Sequence, residues 1–448
     1  MQQKLTFMLA ALFFSKNNGT SPRGNLTMAD NGKFYGMTYS GGTNNRGVLF
    51  EFDPDTNTYA KKIDFNNTEV AFKNKSNFGL KKAHLLFSSL GHNWIVNLLK
   101  IVVSIALKLM LPIKGIIKAT VYKQFVGGES IEDCKEQVEN LEQQNVGAIL
   151  DYSAEGKTKD EDLDYTANLT VKTILNAKTN TDIPMAVFKP SGLGRFELFE
   201  KIANQSTLSD DEKAEWERVL ARFKMVADAA KAEGIPVLVD AEESWIQQPI
   251  DDIVTGLMET YNTKKALIYN TAQMYRWDRL DHLKSAIIRA RKNNYFYGVK
   301  IVRGAYMEKE RARAGEMGYK SPIQLTKEDT DNDFNSAVDL LIANHEIVYS
   351  VIATHNADST QLCLDKLDEF KIAKNDPKVY MAQLFGMSDN ISMNVAHEGY
   401  NVVKYLPFGP LADVMPYLFR RAEENTSVKG QTGRELQLIK QELQRRKK

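Results

Sequence analysis

The chain reads as an α/β protein built on a (β/α)8 barrel, and three observations carry that reading. From about residue 130 onward, short apolar runs alternate with helix-like stretches, the pattern that implies parallel strands joined by right-handed crossovers. The strand-like runs number eight: 146–150, 185–188, 236–239, 266–269, 297–302, 347–353, 379–384 and 402–406. They and the helix that follows the last of them occupy 146–425, or 280 positions, near the ~250 typical of a closed barrel. An open doubly wound sheet is the alternative. A dinucleotide-binding Gly-x-Gly-x-x-Gly is missing, and Gly192-Leu193-Gly194 lacks the third glycine and reads as a turn.

The elements are taken in chain order. Residues 1–24 form a leader in which Lys4 precedes an apolar run from Leu5 to Phe14. It resembles a secretory signal but has no small-x-small cleavage site, so secretion is kept only as a minor alternative to a cytoplasmic location. Residues 25–64 form an appendage, with strands over 34–39 and 47–52 and turns at 41–45 and 53–57. This segment is similar to one unit of the Gly- and Tyr-rich tandem β repeats of secreted bacterial surface proteins, and a lone unit buries no core by itself. Residues 65–130 form a helical arm. Its stretch 94–123 is strongly apolar but interrupted by Lys100, Lys108, Pro112, Lys114 and Lys118, too short for the ~20 apolar residues of a spanning helix. A helix packed on the main domain is the plain reading, and an amphipathic helix making peripheral membrane contact is the sharper one. Residues 131–448 form the barrel domain. Its helices are expected at 131–144, 161–178, 209–232, 250–263, 277–293, 331–345, 358–370, 388–399 and 416–443, the last starting at Pro416, since proline suits a first turn.

Bulk composition excludes several classes. The net charge of +1 offers no field for nucleic acid. Only Cys134 and Cys363 occur, far apart, which excludes a disulfide scaffold and fits a reduced compartment. Neither the cysteines nor the six histidines show metal-site spacing.

Barrel enzymes place their chemistry at the C-terminal ends of the strands, and here every strand end carries polar residues. In order they are Asp151-Tyr152, Lys189, Asp240-Ala241-Glu242, Asn270 with Gln273, Lys300 with Arg303, Thr354-His355-Asn356, Gln383, and Tyr405 with the following Arg420-Arg421. Each has a bland reading: a surface lysine, a core histidine, a helix cap. Together the cations outnumber the acids, so the mouth should hold anions, either a carboxylate, a phosphorylated cofactor or both. The adjacent guanidiniums repel one another unless an anion lies before them, and their forks suit a carboxylate or phosphate. Glu424, four residues after Arg420, is spaced to hold one fork. A solvated basic helix end with an ion pair is the competing reading. Lys189 or Lys300 could also serve as the Schiff-base amine of a lyase- or aldolase-type barrel acting on a small carboxylate.

The stretch Tyr297-Gly298-Val299-Lys300-Ile301-Val302-Arg303-Gly304-Ala305-Tyr306, followed by Glu310-Arg311-Ala312-Arg313, resembles the strand-five signature of proline dehydrogenases. The segments 122–129, 240–242, 353–356, 383–387 and 404–425 agree with that family in order and spacing. The likeness covers roughly 66–443 and is nearest the monofunctional, eukaryote-like branch. It implies a distorted barrel binding FAD that oxidises L-proline to Δ1-pyrroline-5-carboxylate and passes electrons to a membrane quinone. It also implies roles residue by residue. Arg420 and Arg421 would clamp the substrate carboxylate, Lys189 would add positive charge, and Glu424 would orient an arginine. Tyr405 would pack on the substrate ring, and Asp240 would lie beside the substrate and its lysine neighbour. Lys300 would stand near flavin N5, where many bacterial members carry arginine. Ala241, Gln273, Arg303, Gly304, Ala305, Thr354 and His355 would contact FAD. No metal is implied.

Overall fold

The computed structural model describes residues 20–22, 27–28, 32–40, 49–53, 58–61, 63–90, 114–153, 156–427 and 431–447. The chain divides into two compact units, Met1–Asn67 and Thr68–Lys448. The first is a small antiparallel sheet of β1 (Thr20–Pro22), β2 (Thr27–Met28), β3 (Phe34–Ser40), β4 (Leu49–Asp53) and β5 (Thr58–Lys61). Its centre is the expected hairpin, in which Phe34 faces Phe52 and Gly36 faces Phe50. Glu51 is buried there, accepting from Tyr35 Oη at 2.6 Å and from Lys33 Nζ at 2.9 Å. The signal-like run lies outside the described residues.

The second unit is the barrel. Its strands are β6 (Gly147–Tyr152), β7 (Ala186–Phe188), β8 (Val237–Val239), β9 (Ile268–Gln273), β10 (Tyr297–Val302), β11 (Val348–Ala353), β12 (Val379–Leu384) and β13 (Val402–Phe408). All pairings are parallel, in the order β6-β13-β12-β11-β10-β9-β8-β7. The last seam, between β6 and β7, has no ladder. It is bridged where Ala148 N–H donates to Asp182 O at 2.7 Å. Ile149, Met185, Val187, Leu238, Val351 and Val403 fill the interior.

The helices follow local signals. Asp210–Glu233 starts with a capping box of Ser209 and Glu212 and ends at left-handed Gly234. A second core joins the arm to the C-terminal helices through Phe72, Leu80, Phe87, Phe125, Val414 and Leu438. The arm also reaches the barrel mouth: Tyr122 Oη donates to Gly409 O at 2.8 Å, and Gly127 N–H donates to Pro407 O at 2.8 Å. Residues 91–113, most of the apolar arm stretch, lie outside the described residues. Among the described residues no helix is long and apolar enough to cross a membrane.

Two helix expectations are corrected, and one helix appears where none was expected. The expected 416–443 helix is two helices, Leu411–Ser427 and Gln431–Arg445. The first begins on Pro410, whose carbonyl accepts from Asp413 and Val414, so Pro416 lies inside it. Pro416 is exposed there, where the missing N–H is tolerated. The helix expected at 250 starts at Ser244 and carries Pro249 within it. The helix Met307–Met317 was not marked because its buried residues are only Glu310 and Ala314, which leaves no apolar period to read.

Candidate active site

At the C-terminal mouth of the barrel, β8, β10 and β13 bring three predicted residues together. Lys300 lies mid-strand in β10, opposite Thr271 and Val351, with its side chain turned inward. Its Nζ pairs with Asp240 Oδ1, just past β8. The other carboxylate oxygen, Oδ2, accepts from Tyr405 Oη at 2.7 Å. Lys300 Nζ also lies 5.2 Å from the centre of the Tyr405 ring. Asp240 therefore holds an ammonium and a phenol at once. Burial first, and then the charges of Asp151 and Asp240, push the Tyr405 phenol well above its ordinary range, so it stays a donor.

A second pair lies on the unladdered seam. Lys189 Nζ donates to Asp151 Oδ2 at 3.1 Å, and Ser153 Oγ donates to the same oxygen at 2.5 Å. Asp151 is fully buried, and its Oδ1 has no hydrogen-bond partner among the described residues. Lys189, Asp151, Tyr405, Asp240 and Lys300 thus form one polar row across the barrel top. Each lysine is committed to a carboxylate, which counts against a free Schiff-base amine at either position.

The predicted cofactor contacts gather on the neighbouring strand ends. Arg303 donates through Nε to Asp331 at 2.7 Å, through one terminal nitrogen to Thr354 Oγ1 at 2.5 Å, and through the other to Ser359 Oγ at 2.9 Å. Its guanidinium stacks 4.4 Å from the Phe334 ring centre. Three of its five N–H donors and the stacked face are engaged, so it is a rigid part of the wall with donors left for a bound group. Gln273 spans two strand ends: Nε2 donates to Glu242 O at 2.6 Å, and Oε1 accepts from Ala305 N–H at 3.3 Å. Gly304 has φ of +141°, and a Cβ there would lie 2.5 Å from the Tyr275 ring, so only glycine fits. Gly304 and Ala305 stay exposed at the mouth, and Ala241 is half-buried. His355 Nδ1 lies 2.9 Å from Ser388 Oγ. Burial, with Lys404, Arg421 and Arg303 nearby, pulls its pKa down to about 3, so the ring is neutral.

Helix Leu411–Ser427 carries the arginine pair. Arg420 sits 5.8 Å over the Tyr306 ring, beyond the end of β10, and buried Arg421 lies 5.1 Å from the Tyr417 ring. The helix thus points one guanidinium toward the loop after β10 and the other inward toward His355, whose titration it depresses. The backbone of Glu424 is helical, and its side chain lies outside the described residues.

Sequence reasoning gave no role to three groups beside these. Asp151 was visible as a strand end, but only the fold shows it beneath Lys189. Glu242 accepts from Ser191 N–H at 2.8 Å and Ser191 Oγ at 2.6 Å, fixing the loop after β7. Ser388, the His355 partner, carries no sequence signal.

A family model described as proline dehydrogenase matches residues 134–434. The carbapenem antibiotics biosynthesis protein CarD of Pectobacterium carotovorum subsp. carotovorum is 32% identical over 322 residues, covering 72% of this chain and 83% of that protein. Mitochondrial proline dehydrogenase 1 of Dictyostelium discoideum is 29% identical over 442 residues, 88% of this chain and 77% of that one. Mitochondrial proline dehydrogenase 1 of Homo sapiens is 38% identical over 244 residues, 54% of this chain and 41% of that one. The fold is shared with the crystal structure of proline utilization A from Bdellovibrio bacteriovorus, with a TM-score of 0.64 at 20% identity over 72% of this chain. The chain spans about a third (36%) of that structure's length.

Proposed function

This chain belongs to the proline dehydrogenase family, and on that premise we propose that it oxidises L-proline to Δ1-pyrroline-5-carboxylate, with FAD as hydride acceptor and a quinone as the onward electron acceptor. The observation that carries the reading is the row Lys189–Asp151–Tyr405–Asp240–Lys300 across the barrel top, with Arg420 and Arg421 on the helix that follows β13.

The residues present fit FAD. Gly304 leaves out a side chain that Tyr275 would block, Ala305 and Gly304 are exposed beside it, and Arg303 is a fixed cation. Ala241, Gln273, Arg303, Gly304, Ala305, Thr354 and His355 would hold the cofactor. FAD, when bound, supplies the two-electron oxidant that the chain's own side chains lack.

The chain's part is to bind and orient. Arg420, Arg421 and Lys189 would grip the proline carboxylate, a directional contact that fixes the ring's pose. Tyr405, tied to Asp240, would form the ring's floor. The amine must lose its proton before its lone pair can expel hydride from the adjacent carbon. The surrounding cations disfavour a bound ammonium and so ease that loss. Lys300, held by Asp240, would place a positive donor where negative charge develops. With a membrane quinone as acceptor, the reading also places the enzyme in the cytoplasm with peripheral membrane contact, as a proposal that rests on that acceptor.

The test uses the purified full chain. A yellow protein whose flavin bands bleach under anaerobic L-proline supports the reading. A colourless protein that borohydride traps with a carbonyl substrate overturns it in favour of a lyase.

A further inference from the structure

The turn between β12 and the helix Asp389–His397 is gripped from four directions, and the grip ends on His355. Ser388 sits at φ +51°, a left-handed backbone that a non-glycine residue adopts only where its surroundings impose it. Its N–H donates to Glu435 Oε1 at 2.5 Å, so the last helix, Gln431–Arg445, holds it directly. The next residue, Asp389, accepts Lys404 Nζ at 2.9 Å through Oδ1 and Lys75 Nζ at 2.6 Å through Oδ2. Lys404 is fully buried and also donates to Met387 O at 2.6 Å. It lies between Val403 and Tyr405 in β13, so strand alternation turns it outward, away from the barrel interior. Gly386, at φ +77°, lies against the arm: a Cβ there would fall 2.0 Å from Gln124 O. Arm, β13, last helix and arm loop thus converge on four consecutive residues, Gly386 to Asp389.

The hydrogen-bond count favours one histidine tautomer. Ser388 Oγ meets His355 Nδ1 at 2.9 Å and has no other partner among the described residues. If the imidazole donated, the serine proton would have no acceptor. With the serine donating, its proton and Nδ1 are both satisfied, and the ring proton is then assigned to Nε2. Nε2 has no protein partner among the described residues, which leaves it available to a bound group.

We propose that Ser388 and Glu435 are positioning residues for the cofactor half of the site: Glu435 holds Ser388, and Ser388 holds His355 with its proton on Nε2, so that the last helix must be docked for FAD to bind tightly. This rests on the family reading only for the identity of the bound group. The tautomer and the coupling to the last helix stand on the geometry.

The full chain is purified as wild type, Ser388→Ala, Glu435→Ala, Glu435→Gln and the double Ala variant. FAD affinity is read from quenching of flavin fluorescence after removal and re-addition of cofactor. The tautomer is read from the nitrogen shifts of 15N-histidine-labelled protein. Losing one hydrogen bond at the histidine should weaken FAD binding about tenfold in either Ala variant. The double variant should be no weaker than either single one, because the two act in series. Glu435→Gln keeps an acceptor oxygen and should restore affinity. A merely structural role would lower thermal midpoints and leave FAD affinity and the His355 shift unmoved, and that result overturns the proposal. So does a His355 spectrum with the proton on Nδ1. A wild-type protein that takes up no FAD overturns the family reading instead, while the histidine spectrum still decides the tautomer.

Discussion

His355 makes the stability of the barrel depend on pH in a calculable direction. Burial, then the charges of Lys404, Arg421 and Arg303, lower its pKa from 6.5 to about 3. Below the higher value the unfolded chain takes up a proton that the folded one refuses, so stability is present above 6.5 and is lost as pH falls toward 3. Each pH unit in that window costs about 1.4 kcal/mol, so moving from near neutrality to about pH 5 removes roughly 2 kcal/mol through this residue. The assay is urea unfolding of wild type and His355→Asn at both pH values. Other buried groups contribute to the raw curves; Glu435, for instance, is raised by burial and works in the opposite sense. They are common to both proteins, and the difference isolates the histidine. The wild type should lose roughly 2 kcal/mol more than the variant on acidification. Two curves that fall in parallel would show that the ring is not held neutral, and the account of this side of the mouth would fail.

Other substitutions address the remaining parts of the site. Arg421→Met should raise KM for L-proline at least about tenfold, because a hydrogen bond to a charged group is worth more than ~1.4 kcal/mol; steady-state kinetics with an unchanged KM would remove the arginine from the carboxylate grip. Tyr405→Phe keeps the ring over Lys300 but takes the phenol from Asp240 Oδ2, and should lower the unfolding free energy by about 1.5 kcal/mol in urea titration. Gly304→Ala forces a Cβ to 2.5 Å from the Tyr275 ring at φ +141°. It should cost about 1–3 kcal/mol, seen as a lower thermal midpoint, and should reduce the flavin retained per chain.

The barrel was legible because its strands are buried on both faces and read as short, dense apolar runs between amphipathic helices. The predicted 297–302 and 379–384 coincide with Tyr297–Val302 and Val379–Leu384. The family motifs named Lys300, Asp240 and Tyr405, and the fold brings them into contact although they lie on strands far apart in the chain. Pairing partners were not legible. Nothing in the one-dimensional pattern says that Asp151 sits under Lys189, since that depends on which strands meet at the seam. Lys404 is a sharper case. A lysine inside an apolar strand looks like a solvent-facing residue, yet it is fully buried, because Asp389 from the turn after β12 supplies its countercharge. Pro416 misled for a local reason: proline favours a first turn, and here tertiary packing of Val414, Leu418 and Met415 carried the helix through it.

The unladdered seam between β6 and β7 gives Lys189 a second occupation. Everywhere else around the cylinder, main-chain bonds keep adjacent staves together whatever the side chains do. At this one joint the closing force near the mouth is the Lys189–Asp151 clasp, with Ala148 N–H on Asp182 O lower down. A lysine that grips substrate here is also the latch of the cylinder. Amide exchange should be fastest along this joint, and substrate bound against Lys189 should slow it. Loss of the lysine would therefore loosen the wall as well as the ligand, and kinetic losses at Lys189 measure both together unless exchange along the seam is followed alongside them.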